Sequence, residues 1–170
     1  VIVHANENRL EYLRSVNAIS NDSNQLIIRN FPKFDENAEV IDQTYETFKE
    51  WKADVPCIYL QGLNDRSRSA IEAVSSVLEM DNCKGVVVGR FKEDCLQELY
   101  KKYGDSLKER IFFTGLVPQK MTPHYIRLCS ASLILYKNTS PNNYFCEPNR
   151  MFQSIINDCP VVVGCNPPMK

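Results

Sequence analysis

The chain has 170 residues, 44% of them hydrophobic and 24% charged, with 20 Lys plus Arg against 21 Asp plus Glu for a net charge of −1. A chain of this size is about one domain and buries roughly 68–70% of its unfolded surface without a metal or disulfide staple. The composition excludes disordered, collagenous and coiled-coil classes. The charge balance lacks the cationic excess of a nucleic-acid-binding surface, and no apolar run approaches the ~20 residues of a membrane span.

In chain order, residues 1–4 form an apolar run that lacks a starting Met and the basic flank of a signal peptide, and read as a strand entered midway. A helix and a second strand at 26–28 follow. Residues 33–54 read as an acidic connection: from Asn30 to Pro56 seven carboxylates (Asp35, Glu36, Glu39, Asp42, Glu46, Glu50, Asp54) stand against three lysines, and Phe48 and Trp51 anchor one short helix. Apolar runs at 57–61, 85–88, 111–114, 133–136 and 161–163 then alternate with helical-period segments at 67–80, 92–103 and 148–158. The runs are apolar on consecutive positions, as in parallel strands covered on both faces. Repeated β-α-β units with right-handed crossovers predict a Rossmann-like, doubly wound parallel sheet with helices on both faces. The C-terminus at 164–170 stops just after a strand, so the chain is expected to be a piece of a longer protein.

The seven cysteines (Cys57, Cys83, Cys95, Cys129, Cys146, Cys159, Cys165) are odd in number, never in C-x-x-C spacing and mostly inside apolar runs. They read as free thiols of a cytoplasmic protein and not as a disulfide framework or a zinc site.

In such a sheet, ligands bind beyond the carboxyl ends of the strands. Gly62 lets a phosphate approach the backbone and Arg66 offers it a fork of donors; the plainer reading is a turn with a solvated Arg. Gly89 and Arg90 occupy the same position after the next strand. The polar loop ending in Glu147-Pro148-Asn149-Arg150 runs straight into a helix, so its amides, Asn149 and Arg150 form an anion pocket; the plainer reading is a helix cap with an exposed Arg. His124 reads as a surface residue and His4 as the end of a buried strand. The sequence has no G-x-G-x-x-G, no G-x-x-x-x-G-K-[ST] and no G-x-S-x-G, so dinucleotide, P-loop and nucleophile-elbow chemistries lose their best support.

Taken in order, these pieces resemble the donor-nucleotide half of a retaining GT-B glycosyltransferase of the glycosyltransferase family 4 type. The matching segments are Ile58-Tyr59-Leu60-Gln61-Gly62 with Arg66, Val86-Val87-Val88-Gly89, and Arg110-Ile111-Phe112-Phe113-Thr114-Gly115-Leu116-Val117-Pro118. Leu133-Ile134-Leu135-Tyr136 follows, then Pro148-Asn149-Arg150-Met151-Phe152-Gln153 with Pro160-Val161-Val162-Val163, similar to the "P-N-K-x-F-E … P-V-I" segment common in bacterial members. The resemblance implies that residues 1–32 end an acceptor-binding domain, 33–54 connect, and 55–170 bind a nucleotide-diphosphate sugar. Gly62, Arg66, Asn149 and Arg150 then take the phosphates, while Gly89, Leu116, Val117 and Gln153 take base and ribose. The donor is a substrate, with no cofactor and no metal. The acceptor is a glycan or lipid-linked molecule of glycan biosynthesis, and the full-length protein can associate peripherally with a membrane.

The sequence departs from the family pattern at three places. Gln153 stands where the family carries the ribose-binding carboxylate, Phe145 where the first glutamate of its E-x7-E pair falls, and Asp158 where a glycine precedes "x-P-V". A catalytically silent binding or interaction domain that kept the fold is therefore the alternative. A receiver-type module would need an acidic phosphorylation cluster, which Asp65 alone does not supply. The expectations are a parallel sheet from 57 to 163, Arg66 and Arg150 on the same rim as Gly62, and weak nucleoside diphosphate binding without sugar transfer by this chain alone.

Overall fold

A computed structural model describes residues 1–20, 22–29, 31–32, 42–62 and 66–170. The first apolar runs form β1 (Ile2–His4) and β2 (Gln25–Ile27), paired in parallel through α1 (Glu7–Ser15). The Asn6 side chain caps α1 by accepting from the Arg9 amide at 2.8 Å, which fixes the turn out of β1. This β-α-β unit is a separate two-stranded sheet.

Next comes α2 (Gln43–Lys52), capped by the Asp42 side chain on the Thr44 amide at 2.8 Å. Most of the acidic stretch ahead of it lies outside the described residues. The helix is anchored by Phe48 and Trp51 as expected, and the anchoring goes deeper than a surface connection needs, because Phe48 is fully buried on the main sheet.

That sheet contains β3 (Cys57–Gln61), β4 (Lys84–Val88), β5 (Ile111–Gly115), β6 (Ala131–Ile134) and β7 (Val161–Val163), in the order β5-β4-β3-β6-β7 with every neighbouring pair parallel. The helices between them are α3 (Ala70–Leu78), α4 (Glu93–Tyr103), α5 (Ser106–Arg110), α6 (Thr122–Arg127), α7 (Pro141–Tyr144) and α8 (Asn149–Ile155). The period-2 alternation of a strand divides the apolar runs between two cores. Leu60, Val87 and Leu133 join Val74, Val77, Leu99 and Leu107 on the α3–α4–α5 face. Cys57, Tyr59, Val86 and Val88 face the other way, onto Phe48, Met121, Tyr125 and Ile126. The doubly wound sheet is therefore as the sequence predicts.

Two boundaries and one additional helix differ from the pattern. The apolar run at 133–136 pairs two residues earlier, because polar Ser132 is buried in register between Tyr59 and Val161; Tyr136 is thereby released beyond the strand. The helix expected from 67 starts at Ala70, since Ser69 is left-handed (φ 53°) after a 3-10 turn at Arg66–Arg68. The short α5 has no long apolar stripe to announce it. Its last residue, Arg110, closes the end of α3 by donating to the carbonyls of Leu78 (2.7 Å), Val77 (2.9 Å) and Cys83 (2.8 Å).

The N-terminal unit docks on the loop that leads to α8. Tyr12 stacks on Phe145 with centroids 4.9 Å apart, Phe31 meets Phe152 edge-on at 4.4 Å, and Asn6 donates to the Phe145 carbonyl at 3.2 Å. No helix among the described residues is long and apolar enough to cross a membrane.

Candidate functional site

The carboxyl edge of the sheet is built on glycine. Gly62 follows β3 at φ +67° and Gly89 follows β4 at φ +110°, conformations that side chains resist. The Gly62 amide donates to Val88 O at 3.4 Å and the Gly89 amide to Gly115 O at 2.9 Å, so the three strand ends are tied side by side. What Gly62 supplies is room: a Cβ there would stand 3.2 Å from Nη1 of Arg150. Gly62→Ala is expected to cost about 1–2 kcal/mol from the left-handed backbone alone. Chemical denaturation checks this, and an unchanged midpoint would count against it.

Beyond this edge lies a cleft of about 430 Å³, with Gly62, Arg68, Tyr136, Glu147, Arg150 and Gln153 in its wall. An adjoining recess of about 270 Å³ shares Gln61, Gly62 and Gln119 with it and is walled by Gly89, Leu116 and Val117. The sequence-predicted residues divide between the two cavities only in part as the resemblance divides them: Gln153, expected with the base and ribose, lines the cleft of Asn149 and Arg150, Gly62 borders both cavities, and Arg66 lines neither. Gly62, Asn149, Arg150 and Gln153 line one cavity; Gly89, Leu116 and Val117 line the other. Leu116 is 68% exposed, so its side chain is a rim and not a floor.

Arg150 is the centre of the cleft. It sits one residue into α8 and is only 8% exposed, which removes the solvated-cap reading. None of its three guanidinium nitrogens has a hydrogen-bond partner among the described residues. Its Cζ lies 5.0 Å from the centroid of the Tyr136 ring, and the Cζ of Arg68 lies 4.6 Å from the same ring. Arg68 also donates to the Tyr136 hydroxyl at 2.5 Å. Two guanidiniums thus share one aromatic ring. Burial holds the Arg150 pKa below its ordinary value, opposed by Tyr136, with Arg68 adding like-charge repulsion.

Arg66 does not join them. It is turned to α4, where it pairs with Glu98 at 2.6 Å and Asp94 at 3.7 Å, and the Glu98 hydrogen bond raises its pKa. The tight 3-10 turn points residues two apart in different directions, so Arg68 faces the cleft in its place. Arg68 and Tyr136 are the residues that sequence reasoning passed over. The second arginine of Arg66-Ser67-Arg68 and the aromatic end of Leu133-Ile134-Leu135-Tyr136 were the signals available for them.

The carboxylate facing the cleft is Glu147, whose side chain is 4% exposed. Burial pushes its pKa up, and Arg29 at 3.8 Å, from beyond β2, pulls it back. Phe145 is held against α1 by Tyr12 and Asn6. No group of His, Cys, Asp and Glu among the described residues has metal-binding geometry.

No family model matches the sequence, and a search of curated proteins gives no match either. Solved structures do match. The structure of Anabaena Alr3699/HepE in complex with UDP and glucose superimposes with a TM-score of 0.73 over 99% of this chain and 45% of that one, at 13% identity. The fold is that of the GT-B glycosyltransferases. AviGT4, a glycosyltransferase involved in avilamycin A biosynthesis, gives 0.52 over 66% of this chain and 32% of its own, at 17% identity. The trehalose-6-phosphate synthase OtsA gives 0.57 over 79% and 38%, at 13% identity. The chain spans less than half the length of each of these structures.

Proposed function

We propose that the chain binds the nucleoside diphosphate of a sugar donor, as part of a glycosyltransferase that passes the sugar to an acceptor. The observation that carries this reading is the Arg150 guanidinium, buried against the Tyr136 ring with no hydrogen-bond partner among the described residues, facing Gly62 at the carboxyl edge of a parallel sheet. A buried cation without a counter-charge costs several kcal/mol, and a diphosphate offers charge to Arg150 and Arg68 at once. HepE was crystallised with UDP and glucose, which makes uridine the first base to test. In this reading the base occupies the recess at Gly89, Leu116 and Val117, and Gln153 hydrogen-bonds the ribose. Positive charge on the departing diphosphate stabilises the transition state; by the family resemblance, the reaction retains configuration and uses no metal. The acceptor is a glycan or lipid-linked molecule.

The test is calorimetric titration with uridine, guanosine and adenosine diphosphates. One of them is expected to bind, Arg150→Ala to abolish that binding, and Arg150→Lys to restore part of it. Arg68→Ala is expected to weaken binding about 10-fold or more, as for loss of a charge-assisted hydrogen bond, whereas Arg66→Ala leaves it unchanged. No binding of any of the three at millimolar concentration would overturn the reading. A nucleotide-binding domain without transfer activity is the second reading, favoured by Gln153 and Phe145 at the two positions where the family carries carboxylates. Binding without transfer, in the full-length protein supplied with acceptor, would select it.

A further inference from the structure

The phosphate half of the cleft also contains a thiol. Cys146 is half-buried, lines the same cavity as Arg68 and Arg150, and packs on the cluster that holds Tyr136 and Met151. The charged groups in that wall are two guanidiniums, Arg68 and Arg150, against one carboxylate, Glu147, which Arg29 also faces at 3.8 Å, and Arg150 is nine-tenths buried with no hydrogen-bond partner among the described residues. A small anion drawn to these guanidiniums therefore enters the cavity that Cys146 also lines.

We propose that Cys146 is a modification site for anionic disulfides, glutathione disulfide being the type, and that the adduct closes the cleft to nucleotide. The second half of this statement rests on the diphosphate reading above; the first does not. The Cys146 thiol gives its proton to solvent and its sulfur attacks one sulfur of glutathione disulfide. The Cys146–glutathione S–S bond forms, the original S–S bond breaks, and the electron pair leaves on a glutathione thiolate that takes up a proton. Cys146 is oxidised and the departing half of the reagent is reduced, so no further oxidant is needed. The bound tripeptide carries two carboxylates into a cavity of about 430 Å³, where it competes for the same two arginines as a diphosphate. A neutral disulfide has no comparable attraction.

The exposed competitor is Cys165, so the experiment uses the full chain with Cys165→Ser. Cys146 modification by glutathione disulfide and by neutral hydroxyethyl disulfide is followed by mass spectrometry of the Cys146 peptide, each rate normalised to that of a small free thiol. The normalised rate is expected to be ~10-fold higher for the anionic reagent, the low end of the enhancement that a cleft with a net positive wall gives. The advantage should disappear in Arg150→Gln, in Arg68→Gln and at high salt. Equal normalised rates, an advantage that survives both substitutions and high salt, or an unreactive Cys146 would overturn the proposal. Uridine diphosphate is expected to slow the reaction, and the modified chain to lose nucleotide binding. If Cys146 reacts as described while no nucleotide binds, the diphosphate reading fails and the modification site stands. If nucleotide binds the modified and unmodified chains equally, the closure is wrong.

Discussion

Arg150→Met is expected to make the protein more stable while removing its affinity for nucleoside diphosphate. Methionine follows much of the path of the arginine stem, so the packing of α8 on Ile134, Tyr136 and Met169 is largely kept. What disappears is a guanidinium that is 8% exposed and has no hydrogen-bond partner among the described residues. A buried polar group left unsatisfied costs about 1–3 kcal/mol, and more when charged. Its removal should therefore raise stability by about that amount, or several degrees in Tm for a chain of this size. Gains of this kind at the expense of function are the usual signature of a site held ready for a ligand. A diphosphate or high phosphate concentration should stabilise the natural chain by mass action and leave the methionine variant unmoved. A fall in midpoint of the size seen for ordinary core truncations would show that Arg150 is a satisfied structural residue, and the cleft would lose its central group.

The sheet was legible because each of its strands carries its own evidence. Five apolar runs alternate with helical periods, and residues such as Tyr59 and Leu60, adjacent in sequence and buried on opposite faces, are what a two-sided parallel strand requires. The carboxyl-edge rule singled out Gly62, Arg66, Gly89, Arg90, Leu116, Val117, Asn149 and Arg150, of which Arg66 turns away to Glu98; Gln153 came only from the family resemblance. What the sequence does not encode locally is side-chain direction across a turn. Arg66 and Arg68 are equivalent as letters; the 3-10 turn sends one to Glu98 and the other to Tyr136. Tyr136 itself belongs to an apolar run, and only the earlier pairing of Ser132 releases it into the cleft. The docking of Tyr12 and Phe31 on Phe145 and Phe152 joins positions more than a hundred residues apart, which no periodicity reports.

The same limit explains α2, and there the expected effect is the largest on stability. The acidic composition of 33–54 reads as a surface connection with one short helix anchored by Phe48 and Trp51, and the count of charges hides how deep that anchor goes. Phe48 is fully buried, with ring centroids 5.4 Å from Tyr125, 5.5 Å from Phe112 and 6.3 Å from Trp51. It bridges α2 to β5 and α6, and so closes the second face of the sheet. Phe48→Ala removes a ring from the centre of that cluster and leaves a cavity that fixed strands cannot fill; such truncations cost about 3–5 kcal/mol. Against a typical total stability of about 5–15 kcal/mol, the variant should unfold at a much lower denaturant concentration. Phe48→Leu keeps most of the volume and should lose clearly less. If α2 were only a tethered surface segment, Phe48→Ala would shift the midpoint by less than about 0.5 kcal/mol, as exposed substitutions do. Denaturant unfolding followed by Trp51 fluorescence, which reports the same aromatic cluster, separates the two outcomes.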